Sequence, residues 1–343
     1  MANALIVIRY SLSIVLFCSP LWGWAKSCAD TMAVIEQRLF HEPENAELHF
    51  AWLALQHCRE VPVQSAVKQQ QLSVWVGQDT NPLHTSSADT LWLTTSAGWL
   101  GLPNQNKPMI SRFEQLGWFY QHTQPNQQQF SVHVQAKHYQ ESVYQNQHQG
   151  SLRYQWPVSS QALLHASYQW VNVDTMLLRQ LSVLYQMALT QYWSLGVEVR
   201  LRRFIDDGVL DGNAPFVHLN WQSDDRLWWL NYALGVDQPV GMRAGGAYRL
   251  HELAMGTSRL WLNQWWDVML YARHQQDESA YSSLLNANTV RTLYMSGALL
   301  QWRGEPWYGL VPSAQIEYAQ QQANIALFDW HTNVFRLGFH YAW

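Results

Sequence analysis

The chain has few charged side chains and almost no net charge. Asp, Glu, Lys and Arg make up 13% of its 343 residues, about half the share of an ordinary soluble protein, and the formal net charge is −4. Because a nucleic-acid interface requires a strongly basic surface, this balance argues against nucleic acid as a partner. After the N-terminal leader no run of about 18 uncharged apolar residues occurs, so no transmembrane helix is predicted there.

Cysteine is rare, with three residues in the whole chain. Cys28 and Cys58 lie equally far in sequence from Pro43, where we predict a bend between two helices that brings the thiols together. We expect a structural disulfide between them in an oxidising compartment, worth roughly 3 to 4 kcal/mol if it is unstrained. A metal or redox role is the alternative, but no Cys-x-x-Cys pair and no fixed His pattern accompanies the two residues.

Aromatic side chains, by contrast, are abundant. The chain contains 20 Trp, 16 Tyr and 11 Phe, yet its mean hydropathy is slightly negative at −0.25 because Gln, Asn, Ser and His occupy many other positions. Membrane proteins built from helices are strongly apolar on average. The composition therefore favours strands with one lipid-facing side, one polar side and aromatic girdles.

The pattern along the chain predicts three segments. Residues 1–25 are typical of a secretory signal peptide, with Arg9 before an apolar run and small residues, Gly23 and Ala25, at the cleavage positions. Residues 26–68 predict a periplasmic α-helical hairpin with tetratricopeptide-like spacing. Residues 69–343 predict a β-barrel in the outer membrane of a Gram-negative bacterium.

Strict alternation of apolar and polar residues carries the barrel prediction. Residues 193–202 are the clearest case, because Trp193, Val197 and their alternate neighbours are apolar whereas Glu198, Arg200 and theirs are polar. About 15 segments alternate in this way, with an unclear boundary in residues 91–121. Because closed bacterial barrels have even strand numbers, we predict an all-β transmembrane barrel of about 14 antiparallel strands, with 12 or 16 as alternatives. A soluble β-sandwich would fill its inner face with apolar side chains instead.

The last segment of the sequence has the same two-faced pattern and resembles the C-terminal targeting strand of outer-membrane barrels. Its large side chains alternate with small or polar ones. We expect the insertion machinery to read this strand. The predicted targeting residues are Phe335, Leu337, Phe339, Tyr341 and Trp343.

The same alternation predicts which side chains line the interior. These are charged residues or histidines at inward positions, where the plain interpretation is a hydrated lumen wall. No sequence context singles out a catalytic pair among the many His and Ser residues, so we expect no enzyme activity, no metal site and no cofactor. The predicted lumen-lining residues are Arg153, His165, Glu198, Arg200, Arg202, His218 and Glu317.

Two stretches resemble the surface lipoprotein assembly modifiers. The first is Gly77 to Pro82, and the second is the C-terminal hairpin with Val311-Pro312, Ile316, Tyr318 and Asn333. The resemblance implies a barrel preceded by tetratricopeptide repeats, which moves a cognate lipoprotein or soluble protein from the periplasm to the surface or medium. A single helical hairpin is shorter than the helical part usual in that family.

The predicted function is therefore a protein-translocation pore. An exopolysaccharide-export porin is one alternative, because such porins also join tetratricopeptide repeats to a barrel, but they favour acidic or aromatic lumen linings and the predicted lumen carries charges of both signs. A passive diffusion porin is the other alternative. Expected partners are outer-membrane lipid, the barrel-insertion machinery and a cognate secreted protein or lipoprotein, and we expect a monomer.

Overall fold

The computed structural model describes residues 66–342 except 83, 87–89, 96–97, 104–107, 125, 141–145, 174–175, 206–207, 225–226, 262–263 and 282–288. The predicted signal peptide, Cys28, Cys58 and almost all of the predicted helical hairpin lie outside the described residues, as does Trp343. In the part of the chain that is described, no helix is long and apolar enough to cross a bilayer.

A closed antiparallel barrel of 14 strands forms the body of the described chain, which confirms the predicted fold class. Strands that follow one another around the ring are paired, and β1 (Val67–Asp79) closes it by pairing with β16 (Trp330–Ala342) on one side and β4 (Ser111–Thr123) on the other. The barrel strands are β1 (Val67–Asp79), β4 (Ser111–Thr123), β5 (Gln129–Tyr139), β6 (Gln147–Ser159), β7 (Ala162–Val173), β8 (Met176–Ala188), β9 (Trp193–Phe204), β10 (Gly212–Gln222), β11 (Trp228–Pro239), β12 (Tyr248–Trp261), β13 (Gln264–Ala280), β14 (Val290–Arg303), β15 (Leu310–Ala323) and β16 (Trp330–Ala342).

Two further strands, β2 (Thr90–Thr95) and β3 (Gly98–Pro103), pair only with each other and lie in the connection between β1 and β4. This hairpin explains why residues 91–121 blur the strand count when the sequence is considered alone. Its alternating segments have the length and pattern of strands, but they do not join the ring.

The two ends of the barrel differ. At one end, called here the turn end, short connections join β4 to β5, β6 to β7 and the corresponding later pairs, and both Val67 and Ala342 lie there. At the opposite end, called the loop end, lie the β2–β3 hairpin and the short 3-10 helices Gly208–Leu210 and Ala326–Phe328. Short turns on one side and longer loops on the other are usual for outer-membrane barrels.

Apolar side chains cover the outward face of the strands. Val76, Trp156, Leu270 and Ile316 are each about half exposed, although each of their strands is paired with a neighbour on both sides. Only a lipid environment makes such a surface stable, because in water it would be one large apolar patch. Exposed tryptophans gather at the turn end, as an aromatic girdle requires: Trp156, Trp193, Trp228, Trp261 and Trp307.

The interior contains a small packed cluster against one wall. On β10 to β12, Phe216 and Leu250 are 3% and 2% exposed and pack with Tyr248 and two buried alanines. Gly235 lies opposite Phe216 in the register, and a side chain at this position would collide with the Phe216 ring. Glycine at this place therefore makes room for the aromatic side chain on the inner wall.

Candidate functional site: the barrel lumen

The structure places all seven predicted lumen residues on the inward face of their strands. Their alternate neighbours, such as Leu152, Leu201, Val217 and Ile316, are the exposed outward ones. The alternation of side chains along a strand predicts the same face for these residues, and their part in solute passage stays a prediction. What the alternation did not give is how the charges pair across the wall.

Glu198 is the centre of one charged group on β9, β10 and β12. Its carboxylate oxygen lies 2.8 Å from Nε2 of His218 and 2.9 Å from Nε of Arg200, and it is nearly buried. Arg200 also lies 3.5 Å from Glu252 and stacks 3.9 Å from the centre of the Phe216 ring. The Arg200 guanidinium is thus held between two carboxylates and an aromatic face, which fixes its position on the wall.

Asp237 organises a second group nearer the loop end. It is fully buried and pairs with Arg202, and it accepts hydrogen bonds from Arg243 at 3.1 Å and from the Tyr248 hydroxyl at 3.0 Å. Arg243 follows β11 in the loop and also bonds the Gly246 carbonyl at 3.1 Å. The group therefore ties a loop to the inner wall.

Sequence reasoning missed a third group at the seam where the ring closes. Asp79, at the end of β1, accepts hydrogen bonds from Thr332 on β16 at 2.7 Å and from Tyr139 on β5 at 3.0 Å. Lys137 lies 3.6 Å from the same carboxylate. One sequence feature could have indicated this group, the Asp-Thr-Asn-Pro turn after β1. In the structure the Asn81 side chain of this turn donates hydrogen bonds to the Thr85 and His331 carbonyls.

Two further inward arginines differ in their contacts. Arg336 donates hydrogen bonds to Gln115 at 3.2 Å and to Gln315, and it lies over the Trp75 ring. Arg153 has neither an ion pair nor a hydrogen bond within the described part of the chain, and its register neighbours are Ser131 and Ser167. The positive charge of Arg153 therefore faces the lumen.

Hydroxyl and amide side chains line much of the wall on β5 to β8. They pair across neighbouring strands, as in the contact of 2.7 Å between Ser167 and Ser182 and that of 3.0 Å between Gln149 and Gln135. Lys137 on β5 and Arg153 on β6 are charged residues on this arc. Glu317 lies on β15, where the Tyr271 hydroxyl donates to it at 3.2 Å.

The predicted targeting residues that the structure describes lie on the outer surface of the barrel. Phe335, Leu337, Phe339 and Tyr341 all lie on the outward face of β16 and are 42% to 52% exposed. Their role in targeting stays a prediction. Among the described residues no group of three His, Cys, Asp or Glu side chains could hold a metal ion.

No protein-family model and no curated protein matches the chain. Several solved structures do. OprD from Pseudomonas aeruginosa is 11% identical, with 83% of this chain and 95% of that chain covered and a TM-score of 0.40. OpdK from Pseudomonas aeruginosa is 8% identical, with coverages of 80% and 99% and a TM-score of 0.42. The KdgM porin, solved in complex with a disordered oligogalacturonate, is 8% identical, with coverages of 79% and 98% and a TM-score of 0.34.

The predicted relationship to the surface lipoprotein assembly modifiers is wrong. No family model supports it, and the solved structures that match are instead outer-membrane proteins such as OpdK and the KdgM porin. The expectation that the chain is not an enzyme agrees with these matches. The short motifs behind the resemblance have a local explanation, because Thr80, Asn81 and Asn333 meet at the seam, where Asn333 N donates to Thr80 Oγ1 at 2.8 Å.

Proposed function

We propose that the protein is a passive diffusion porin for small hydrophilic solutes in the outer membrane, with its turn end in the periplasm and its loop end outside the cell. One observation carries the proposal: a closed ring of strands has apolar side chains on its outward face and ion pairs, amides and hydroxyls on its inward face. A wall of this kind is stable only with lipid outside and a hydrated interior.

The pairing of the wall charges supports diffusion rather than tight binding. Glu198, Asp237 and Asp79 are each held by at least two partners, so they present a rigid wall instead of free ligands for one substrate. A solute that forms only transient hydrogen bonds with such a wall can leave as easily as it enters. We further propose outer-membrane lipid and the barrel-insertion machinery as its partners.

The protein-translocation prediction depended mainly on the family resemblance that is now corrected. A secreted protein is therefore not part of this proposal.

The test is solute flux through the purified full-length protein in proteoliposomes. Liposome swelling in sugars of increasing size should show entry that falls steeply with solute size, together with steady conductance in planar bilayers. As a fold control, the same preparation should change its gel mobility on heating. A folded barrel that gives neither swelling nor conductance would contradict the proposal.

A further inference from the structure

The outward face of β11 to β15 contains a groove that the diffusion function does not use. Its cavity measures about 290 Å³. The outer groove is defined here by six of its lining residues, all on the outward side of their strands: Tyr232, His251, Leu253, His274, Tyr294 and Gln322. A recess with polar and aromatic side chains is unusual on a surface that faces lipid tails, although a second one of about 330 Å³, lined in part by His138 and His148, lies on β1 and β4 to β6.

A run of flat rings forms the floor of the outer groove. The Tyr294 and His274 rings are stacked, with centroids 4.5 Å apart and an angle of 20° between their planes. His251 continues the run with its ring centroid 5.8 Å from that of His274, and the Tyr232 hydroxyl lies 2.8 Å from its Nδ1 atom. Tyr294 is 57% exposed, so one face of its ring remains open.

Polar atoms in the groove lack partners of their own. Nε2 of His274 is buried and has no hydrogen-bond partner among the described residues. Such an atom in a folded protein calls for an explanation, because its desolvation costs free energy that a hydrogen bond normally offsets. The exposed Gln322 amide, paired in register with Tyr294, also has no hydrogen bond within the described chain.

The level of the groove on the barrel indicates what occupies it. Toward the turn end, the outward residues Met255 and Leu270 are apolar and exposed, as lipid tails require. Toward the loop end, Arg249 and Gln276 are outward, exposed and directly paired in register. Arg249 has no ion pair among the described residues. The groove therefore lies where acyl chains give way to headgroups.

We propose that the outer groove binds the sugar-phosphate headgroup of a glycolipid in the leaflet at the loop end. The apolar face of a sugar ring packs on Tyr294, since its C–H groups are weakly positive and the aromatic face is negative. A sugar hydroxyl bonds the exposed Gln322 amide, and the Arg249 guanidinium pairs with the phosphate. Leu253 and the apolar residues below it contact the acyl chains.

The experiment measures lipid binding to the full-length protein by native mass spectrometry. The probe is a rough lipopolysaccharide, and the comparison lipid is phosphatidylglycerol, which has a phosphate but no sugar. The test variants are Tyr294→Ala combined with His274→Ala, and separately Arg249→Gln. Each should weaken lipopolysaccharide binding by about tenfold, the effect of losing one charged hydrogen bond or its equivalent.

The matched control is His138→Ala combined with His148→Ala. These two exposed histidines lie on the outward face of β5 and β6, on the other side of the barrel and also near the loop end. The control should bind the glycolipid as the unaltered protein does. Solute flux should be the same in all variants, because the groove lies outside the lumen, and retained heat-dependent gel mobility shows that each variant is folded.

Three results would overturn the proposal. The first is an equal loss of binding in the control, which would show a general effect of removing polar side chains from the outward face near the loop end. The second is phosphatidylglycerol binding as tight as that of the glycolipid. The third is a complex with the mass of two protein chains that disappears in the Tyr294 and His274 variant, since the groove would then be a contact between copies.

Discussion

The carboxylate of Asp79 and the hydroxyl of Thr332 form a hydrogen bond of 2.7 Å between residues that are 253 positions apart in the sequence. They lie at the loop end of the first and last barrel strands. Asp79 is 3% exposed and also bonds Tyr139 and Lys137. One buried carboxylate thus joins the two ends of the sheet to a third strand.

Replacing this carboxylate should loosen the closure of the ring. We expect Asp79→Ala to destabilise the barrel by roughly 3 kcal/mol, because the buried Lys137 and Tyr139 would lose their partner. The measurement is the temperature at which the folded gel band converts to the unfolded one. Asp267→Ala, which breaks the Arg303 pair between the adjacent strands β13 and β14, is the matched control. An equal drop in both variants would show that the seam is not special.

Gly77 allows an aromatic side chain to fill the wall beside the seam. A side chain at this position would collide with the fully buried Phe113 ring and with the Phe335 carbonyl on β16. We expect Gly77→Val to cost about 1 to 3 kcal/mol through overpacking and to reduce the yield of folded barrel. Gly208→Ala is the control, because a Cβ there meets no atom within 4 Å. Normal yield of the Gly77 variant would contradict the packing argument.

Arg153 should bias the channel toward anions. Its positive charge faces the lumen without a carboxylate partner among the described residues, so Arg153→Gln should lower the ratio of anion to cation permeability. The reversal potential under a salt gradient in planar bilayers measures this ratio, and the effect should shrink at high ionic strength. Arg179→Gln removes an exposed charge from the outward face of β8 and should leave the ratio unchanged. An equal shift in both variants would exclude a lumen effect.

The outward face of β16 should tolerate no charge at membrane depth. Leu337 is 46% exposed in the middle of this strand. Leu337→Asp should destabilise the inserted barrel, by less than the roughly 2 to 4 kcal/mol that Arg or Lys costs at the bilayer midplane, and lower the amount of protein in the outer-membrane fraction. Ser151→Asp places the same charge on the inward face of β6 and should insert normally. Undiminished insertion of the Leu337 variant would argue against a lipid-facing strand that the insertion machinery reads.

Much of the barrel follows from the sequence by itself. Because side chains alternate with a period of two, the apolar positions of residues 193–202 and 335–341 already assign one face to lipid and the other to water. The same rule placed Arg153, Glu198 and Glu317 inward. The even strand number needed for closure then favoured 14 over the 15 segments that resemble strands.

Other features depended on contacts that local pattern cannot show. The β2–β3 hairpin has a strand-like sequence, and only pairing decides that it stays outside the ring. The family resemblance failed for a related reason, because membrane alternation forces similar short motifs on unrelated barrels.

The sequence by itself determined the two faces of each strand, since these depend on the order of residues within one segment. Only the tertiary structure decided which charges neutralise one another, because Asp79 meets Thr332, and Arg200 meets Glu252, across distant parts of the chain. It also brought His251, His274 and Tyr294 from three strands into the outer groove. The register between strands determines these side-chain contacts, and register is a property of the closed ring rather than of any one strand.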